Sequence, residues 1–124
     1  MDRLYAGLGE IFPMTIERVA TGISGLDALL EGGFPVHRNY MISGSAGSGK
    51  TILCSQILYN GAYKFSEKGL YVSFEEPVDD ILSDLKRFDW KMDPYLADQT
   101  IKYVHLPMLK SEYEDNVFQL LSTV

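Results

Sequence analysis

The run Gly44-Ser45-Ala46-Gly47-Ser48-Gly49-Lys50-Thr51 constrains this chain more than any other feature. It fits G-x-x-x-x-G-K-[ST] at every fixed position. Glycines at 44, 47 and 49 let the backbone wrap an anion through conformations that other residues rarely adopt. The wrapped N–H groups and the following helix N-terminus then face phosphate. Its context sharpens the reading. Asn39-Tyr40-Met41-Ile42-Ser43 is a short, mostly apolar strand candidate that leads into the loop. Ile52-Leu53-Cys54-Ser55-Gln56-Ile57-Leu58 has apolar pairs at helical offsets, which predicts a helix from about Gly49 to Tyr63. A strand, a glycine loop and a helix in that order form a P-loop; a Gly-Ser surface turn holding a chance lysine would lack both neighbours. The motif therefore points to ATP-like nucleotides, with Lys50 reaching the β and γ phosphates and the Thr51 hydroxyl on Mg²⁺.

The remaining chain alternates around this loop. Leu4, Leu8, Ile11 and Phe12 have helical spacing, but Gly7 and Gly9 weaken a helix there, so residues 1–16 read as a leader. Ser24 with Asp27 resembles a capping box opening a short helix whose buried face is Leu26, Leu29 and Leu30. Gly32-Gly33 stops that helix, and Pro35 follows at the distance of a stop signal. Gly69-Leu70-Tyr71-Val72-Ser73-Phe74 reads as a strand buried on both faces. Pro77 suits the first turn of the next helix, with Asp79 and Asp80 beside it at the positive end of the macrodipole. Val78, Ile81, Leu82, Leu85 and Phe88 form its apolar stripe, and Pro94 lies in the loop beyond. Thr100-Ile101-Lys102-Tyr103-Val104-His105-Leu106 makes a third strand, and Ser111 with Glu114 opens a helix through Val117, Leu120 and Leu121. Strand–helix alternation of this kind implies an α/β fold with right-handed crossovers and a mostly parallel sheet.

Composition narrows the function classes. The 124 residues are 46% hydrophobic and 23% charged, which suits one globular domain. A net charge of −6 argues against a surface devoted to nucleic-acid backbones, which needs a basic stripe. It leaves phosphate binding untouched, because a P-loop acts through local N–H groups. The single cysteine, Cys54, excludes an intrachain disulfide framework. No secretory signal opens the chain, and no stretch approaches the ~20 apolar residues of a membrane helix. A cytoplasmic, reducing setting is the expectation.

Other residues carry weaker chemistry. Glu75 and Glu76 follow the second strand, where strand ends border the ligand crevice of a parallel sheet. A carboxylate there would polarise the water that attacks the γ-phosphate, but an acidic pair at a solvated strand end fits the spacing equally well. His37 and His105 lack partners at metal-ligand spacing, and Cys54 suits a small core position. Tyr40, Tyr59 and Tyr63 are among eight tyrosines, any of which could meet a base, although core or interface packing is the commoner fate.

Several motifs in order then resemble the KaiC-like branch of the RecA-type ATPases. They are Thr21-Gly22-Ile23-Ser24-Gly25-Leu26-Asp27, Gly32-Gly33-Phe34-Pro35, the P-loop, Val72-Ser73-Phe74-Glu75-Glu76-Pro77 and Phe88-Asp89-Trp90. The resemblance runs from Glu17 to Leu121. It implies a RecA-like core, ATP bound between subunits, and a homo-oligomeric, often hexameric, ring. It also implies that Glu75 activates the hydrolytic water with Glu76 as its neighbour, making Glu75, Glu76 and Lys50 the catalytic set. Gly44, Ser45, Ala46, Gly47, Ser48, Gly49, Lys50 and Thr51 inherit the nucleotide roles. By this resemblance residues 17–124 are the N-terminal portion of such a domain.

Two departures accompany it. His37 stands where the family usually has glycine in the turn before the P-loop strand. No apolar run ending in the Walker B aspartate follows Thr51 before Val124, so the core looks truncated, with an unpaired sheet edge. Three functions are compatible with this: hydrolysis of ATP to ADP and phosphate, nucleotide binding or assembly without hydrolysis, and a DNA recombinase or helicase segment. The acidic balance disfavours the third.

Overall fold

The structure is a computed structural model that describes residues 16–107 and Ser122. It divides into two compact units, residues 1–42 and 43–124. The leader falls almost wholly outside the described residues, as does the helix expected from Ser111 to Leu121.

The first unit is a small loop closed by polar ties. Strand β1 (Arg18–Val19) pairs antiparallel with β2 (Phe34–Pro35), matching Arg18 to Pro35 and Val19 to Phe34. Pro35 is thus a strand residue rather than a helix-stop signal. Between them lies α1 (Ser24–Leu29). The expected capping box does not form: Ile23 is the N-cap, and no side chain caps the helix. The Asp27 carboxylate turns back, accepting from the Thr21 N–H (2.8 Å), the Thr21 hydroxyl (2.6 Å) and the Gly22 N–H (3.0 Å). The donors of Thr21 and Gly22 converge on this carboxylate, where a capping box would give it the single N–H of the N-cap. The expected apolar face of α1 is only partly covered: Leu26 and Leu30 are half-buried, and Leu29 is 82% exposed. The turn begins at Glu31 (φ 55°) and passes through Gly32 and Gly33. A Cβ on Gly33 would lie 2.1 Å from the Val19 carbonyl oxygen, so the close strand approach requires glycine there.

The second unit is α/β. Helix α2 (Lys50–Phe65) matches the expected helix and extends two residues beyond it. It ends at Ser66 in the left-handed conformation, where the Glu67 N–H donates to the Gly61 carbonyl (2.9 Å). Strand β3 (Gly69–Ser73) pairs in parallel with β4 (Ile101–His105), from Gly69–Ile101 through Ser73–His105. The crossover contains α3 (Val78–Leu85), with Pro77 as its N-cap rather than in its first turn. It also contains α4 (Asp93–Ala97), placed where a loop is expected. Pro94 sits at the start of α4, the helical position where a missing N–H costs nothing. Ala62, Ile81, Leu85, Met92 and Ile101 form the buried core. Phe88 leaves the α3 stripe to stack on Trp90 (4.9 Å), which stacks in turn on Tyr59 (5.8 Å). β3 is only half-buried except at Ser73, less than its apolar run predicts.

Residues 39–43 show no regular structure, against the expected strand. A strand needs a hydrogen-bonded neighbour, and no described strand pairs with this segment. Met41 is 92% exposed.

Candidate nucleotide-phosphate site

The glycine loop is built as its sequence requires. Gly47 (φ 78°) and Gly49 (φ 95°) both take the left-handed region, and Gly49 is the N-cap of α2. The Ser48 N–H donates to the Ser45 carbonyl (3.2 Å), tightening the turn, and the Leu53 N–H donates to the Gly49 carbonyl (2.9 Å), opening the helix. A Cβ on Gly44 would fall 2.5 Å from the Ser48 hydroxyl, so the loop folds closely on itself here and a side chain would make that hydroxyl turn away. Because Gly49 has no side chain, no side-chain acceptor caps α2. Its first-turn amides are the donors that an anion can satisfy. Lys50 folds back over this turn, its ammonium donating to the carbonyls of Gly44 and Ser45. Residues 43–48 are exposed, while Gly49, Lys50 and Thr51 are half-buried.

The sequence-predicted acidic pair follows β3. The Ser73 hydroxyl donates to the Glu76 carbonyl (2.6 Å) and accepts from the Glu76 N–H (3.1 Å). This pair folds Glu75 and Glu76 into a bend at the strand end, leaving Glu75 exposed and Glu76 half-buried. The Leu106 N–H donates to the Ser73 carbonyl (2.8 Å), fixing the chain beyond β4 at the same level.

The packing of α2 against the strands sets the polarity. Leu58 faces Gly69, where a Cβ would lie 2.7 Å from the leucine Cδ2. Three residues back, Ser55 accepts a bond from Tyr103 (2.8 Å), which pairs with Tyr71. Helix and strand therefore run in opposite directions. From Leu58 to Lys50 the helix climbs ~12 Å at 1.5 Å per residue. From Gly69 to Ser73 the strand climbs ~13 Å. The phosphate-loop end of α2 and the Glu75–Glu76 bend thus lie at one end of this unit. The parallel pairing brings His105 to that end as well.

Other candidates take structural places. Tyr59 packs against the core, stacked on Tyr63 and Trp90, more than two turns down α2 from the loop. Tyr40 packs against Phe34 with its ring tilted (centroids 4.5 Å apart, planes at 42°) and donates to the Pro35 carbonyl. Burial pushes the Cys54 thiol up, away from the reactive thiolate. Burial also raises the Tyr103 phenol, partly opposed by its bond to Ser55. His37 stands at φ 60°, so the turn keeps the left-handed conformation a glycine would give. That Ser55–Tyr103 contact had no sequence signal: two polar residues 48 apart declare a pairing only in three dimensions.

Comparison with known proteins agrees with these elements. A family model described as the KaiC ATPase matches residues 19–123. The circadian clock oscillator protein KaiC of Nostoc sp. is 42% identical over 77 residues, covering 62% of this chain and 15% of the relative. The KaiC of Parasynechococcus marenigrum is 40% identical over 79 residues, covering 64% and 15%. That of Prochlorococcus marinus subsp. pastoris is 35% identical over 97 residues, covering 78% and 19%. The matched stretch is thus about a sixth of the length of these relatives. With the family match spanning both strands of the parallel pair and the whole glycine loop, the chain belongs to the KaiC family of ATPases.

Proposed function

We propose that this chain binds ATP with Mg²⁺ through Gly44, Ser45, Ala46, Gly47, Ser48, Gly49, Lys50 and Thr51. The observation that carries this is the glycine-capped N-terminus of α2, whose first-turn amides have no side-chain acceptor and over which Lys50 is folded. Lys50 would exchange two carbonyl contacts for phosphate oxygens, and a charge-assisted bond to an anion outweighs bonds to neutral carbonyls. The Thr51 hydroxyl would hold Mg²⁺, which when bound would supply charge neutralisation at the phosphates. The parent activity is hydrolysis of ATP to ADP and phosphate, with Glu75 orienting water and Glu76 beside it. Copies of the chain associate around the nucleotide, in a cytoplasmic setting; no helix among the described residues is long and apolar enough to cross a membrane. Residues 17–124 act as the N-terminal portion of the ATPase domain, preceded by a leader.

Isothermal titration with Mg²⁺ and ATP tests the first step. Lys50→Ala should weaken binding roughly 10- to 100-fold, the scale of a hydrogen bond to a charged group. Affinity equal to wild type in that variant would remove the P-loop from the reading. Glu75→Gln should retain binding and abolish Mg²⁺-dependent turnover. Binding without turnover is the second reading, favoured by the exposure of Glu75, whose carboxylate is held by no described hydrogen bond. Wild-type phosphate release equal to that of Glu75→Gln would select it.

A further inference from the structure

Helix α2 presents one continuous stripe to the strands. Ser55, Leu58 and Ala62 follow at helical spacing, and Thr51 extends the same stripe one turn toward the phosphate loop. Two of these contacts are non-directional. Leu58 lies against the bare backbone of Gly69, and Ala62 lies in the apolar core. Contacts of that type resist separation but allow a helix to rotate or slide. Ser55 differs. It is completely buried, and its hydroxyl accepts from the Tyr103 hydroxyl at 2.8 Å. The Tyr103 ring is itself held by stacking on Tyr71, with centroids 5.0 Å apart and planes 21° from parallel. A buried hydroxyl pair depends on direction, since an unmet donor or acceptor in the interior is costly.

We infer that Tyr103 is a positioning residue: through Ser55 it fixes the rotation and axial register of α2 and so aims Thr51 at the metal of the bound nucleotide. The inference rests on the nucleotide reading above. Ser55 is one helical turn from Thr51, about 6 Å along the axis. A small rotation at Ser55 therefore reaches the Thr51 hydroxyl and the first-turn amides almost undiminished. The tie comes from Tyr103 in β4, the strand paired in parallel with β3. It gives the nucleotide site a mechanical reference in the sheet.

The test uses Tyr103→Phe, which keeps the ring and its stacking but removes the hydroxyl, and the double variant Ser55→Ala/Tyr103→Phe, which removes both polar groups. ATP affinity is measured with Mg²⁺ and with EDTA, alongside thermal unfolding. In Tyr103→Phe, affinity for ATP should fall roughly 3- to 10-fold with Mg²⁺, the scale of one hydrogen bond. It should fall less in EDTA, where Thr51 has no ion to hold. The double variant should regain thermal stability, because no buried hydroxyl is left unmet, yet keep the weakened Mg²⁺-dependent affinity. Wild-type affinity in Tyr103→Phe overturns the inference, as does affinity that returns with stability in the double variant. If Tyr103→Phe does not fold, the double variant alone decides by the same measurement, and wild-type affinity there overturns the inference. A wild-type chain that binds no ATP overturns the nucleotide reading itself, a result seen before any variant is compared.

Discussion

The two units of this chain are held by different forces. In the first, the described buried residues are Thr21 and Gly33, and neither brings a large apolar surface. Its shape depends on the Asp27 carboxylate and on Arg18, which donates to the carbonyls of Leu30 (3.1 Å) and Gly33 (3.0 Å). Arg18 also lies 3.7 Å from the exposed Glu31 carboxylate, a pair that water screens. In the second unit, Ile81 and Ile101 are each 1% exposed at the centre of an apolar cluster. The contrast is between a structure defined by directed bonds and one defined by volume. Directed bonds fix a conformation with few atoms but fail when one group is lost. An apolar core tolerates altered polarity at its rim and responds to missing methyl groups.

The largest effect should come from the core. Ile81→Ala should destabilise the second unit by about 2–5 kcal/mol, the range for removing a buried branched side chain. Trp90, the single tryptophan, stacks within that unit and reports its unfolding by fluorescence. Next is the carboxylate. Asp27→Ala removes the acceptor for the Thr21 N–H, the Thr21 hydroxyl and the Gly22 N–H and should destabilise the first unit by roughly 2–3 kcal/mol. It should be read from amide hydrogen exchange at Thr21 and Gly22. An equal shift of the Trp90 transition in both variants would show one cooperative structure and erase the contrast.

Sequence reasoning recovers the two units unequally, for the same reason. In the second unit the long periodic segments were predictable: α2, the Ile81–Leu85 stripe of α3, and both strands follow from apolar spacing alone. Volume leaves a repeating trace in sequence. The glycine loop was equally plain, because Gly47 and Gly49 take left-handed backbone conformations that other residues rarely adopt. In the first unit the expected cap at Ser24 does not form, and of the α1 leucines Leu26 and Leu30 are only half-buried while Leu29 is exposed. Asp27 bonds backward to Thr21, and no periodicity encodes a bond across that turn. Residues 39–43 show the limit from another side: a strand is a property of two segments, and an apolar run supplies one. Short α4 was hidden by Pro94, which reads as a breaker unless the helix is known to start beside it.

His37 offers a smaller test in the polar unit. Its φ of 60° costs an ordinary L residue about 1–2 kcal/mol relative to glycine. Glycine in turn raises the entropy of the unfolded chain by ~0.4–1 kcal/mol. His37→Gly should therefore stabilise the first unit by roughly 0.5–1 kcal/mol, seen as slower exchange at Thr21. A neutral or destabilising result would mean that the histidine side chain gives this turn something beyond its backbone angle. Directed bonds would then reach further along the first unit than Arg18 and Asp27.

The smallest effect probes a polar tie within the apolar unit. The Asp98 carboxylate accepts from the Thr100 N–H at 2.9 Å, across Gln99 at φ 63°, as the chain turns into β4. The Thr100 carbonyl in turn accepts from the Gly69 N–H (2.9 Å), the bond beside the first rung of the parallel pair. Bonds from Thr100 hold the Asp98 carboxyl below its ordinary value of 3.8. Because the folded value is the lower one, the contribution is complete above the ordinary aspartate range. It disappears as pH falls through the folded value. Exchange at Thr100 and Gly69, corrected for its intrinsic pH dependence, should lose protection below about pH 4. In Asp98→Asn, which keeps an acceptor but does not titrate, that loss should be absent. The group is fully exposed, so the change should stay local and leave the Trp90 signal unmoved. If Trp90 instead responds over the same window in the wild type and not in Asp98→Asn, the second unit also hangs on a directed bond. The division between bond-defined and volume-defined units would then fail at the start of β4.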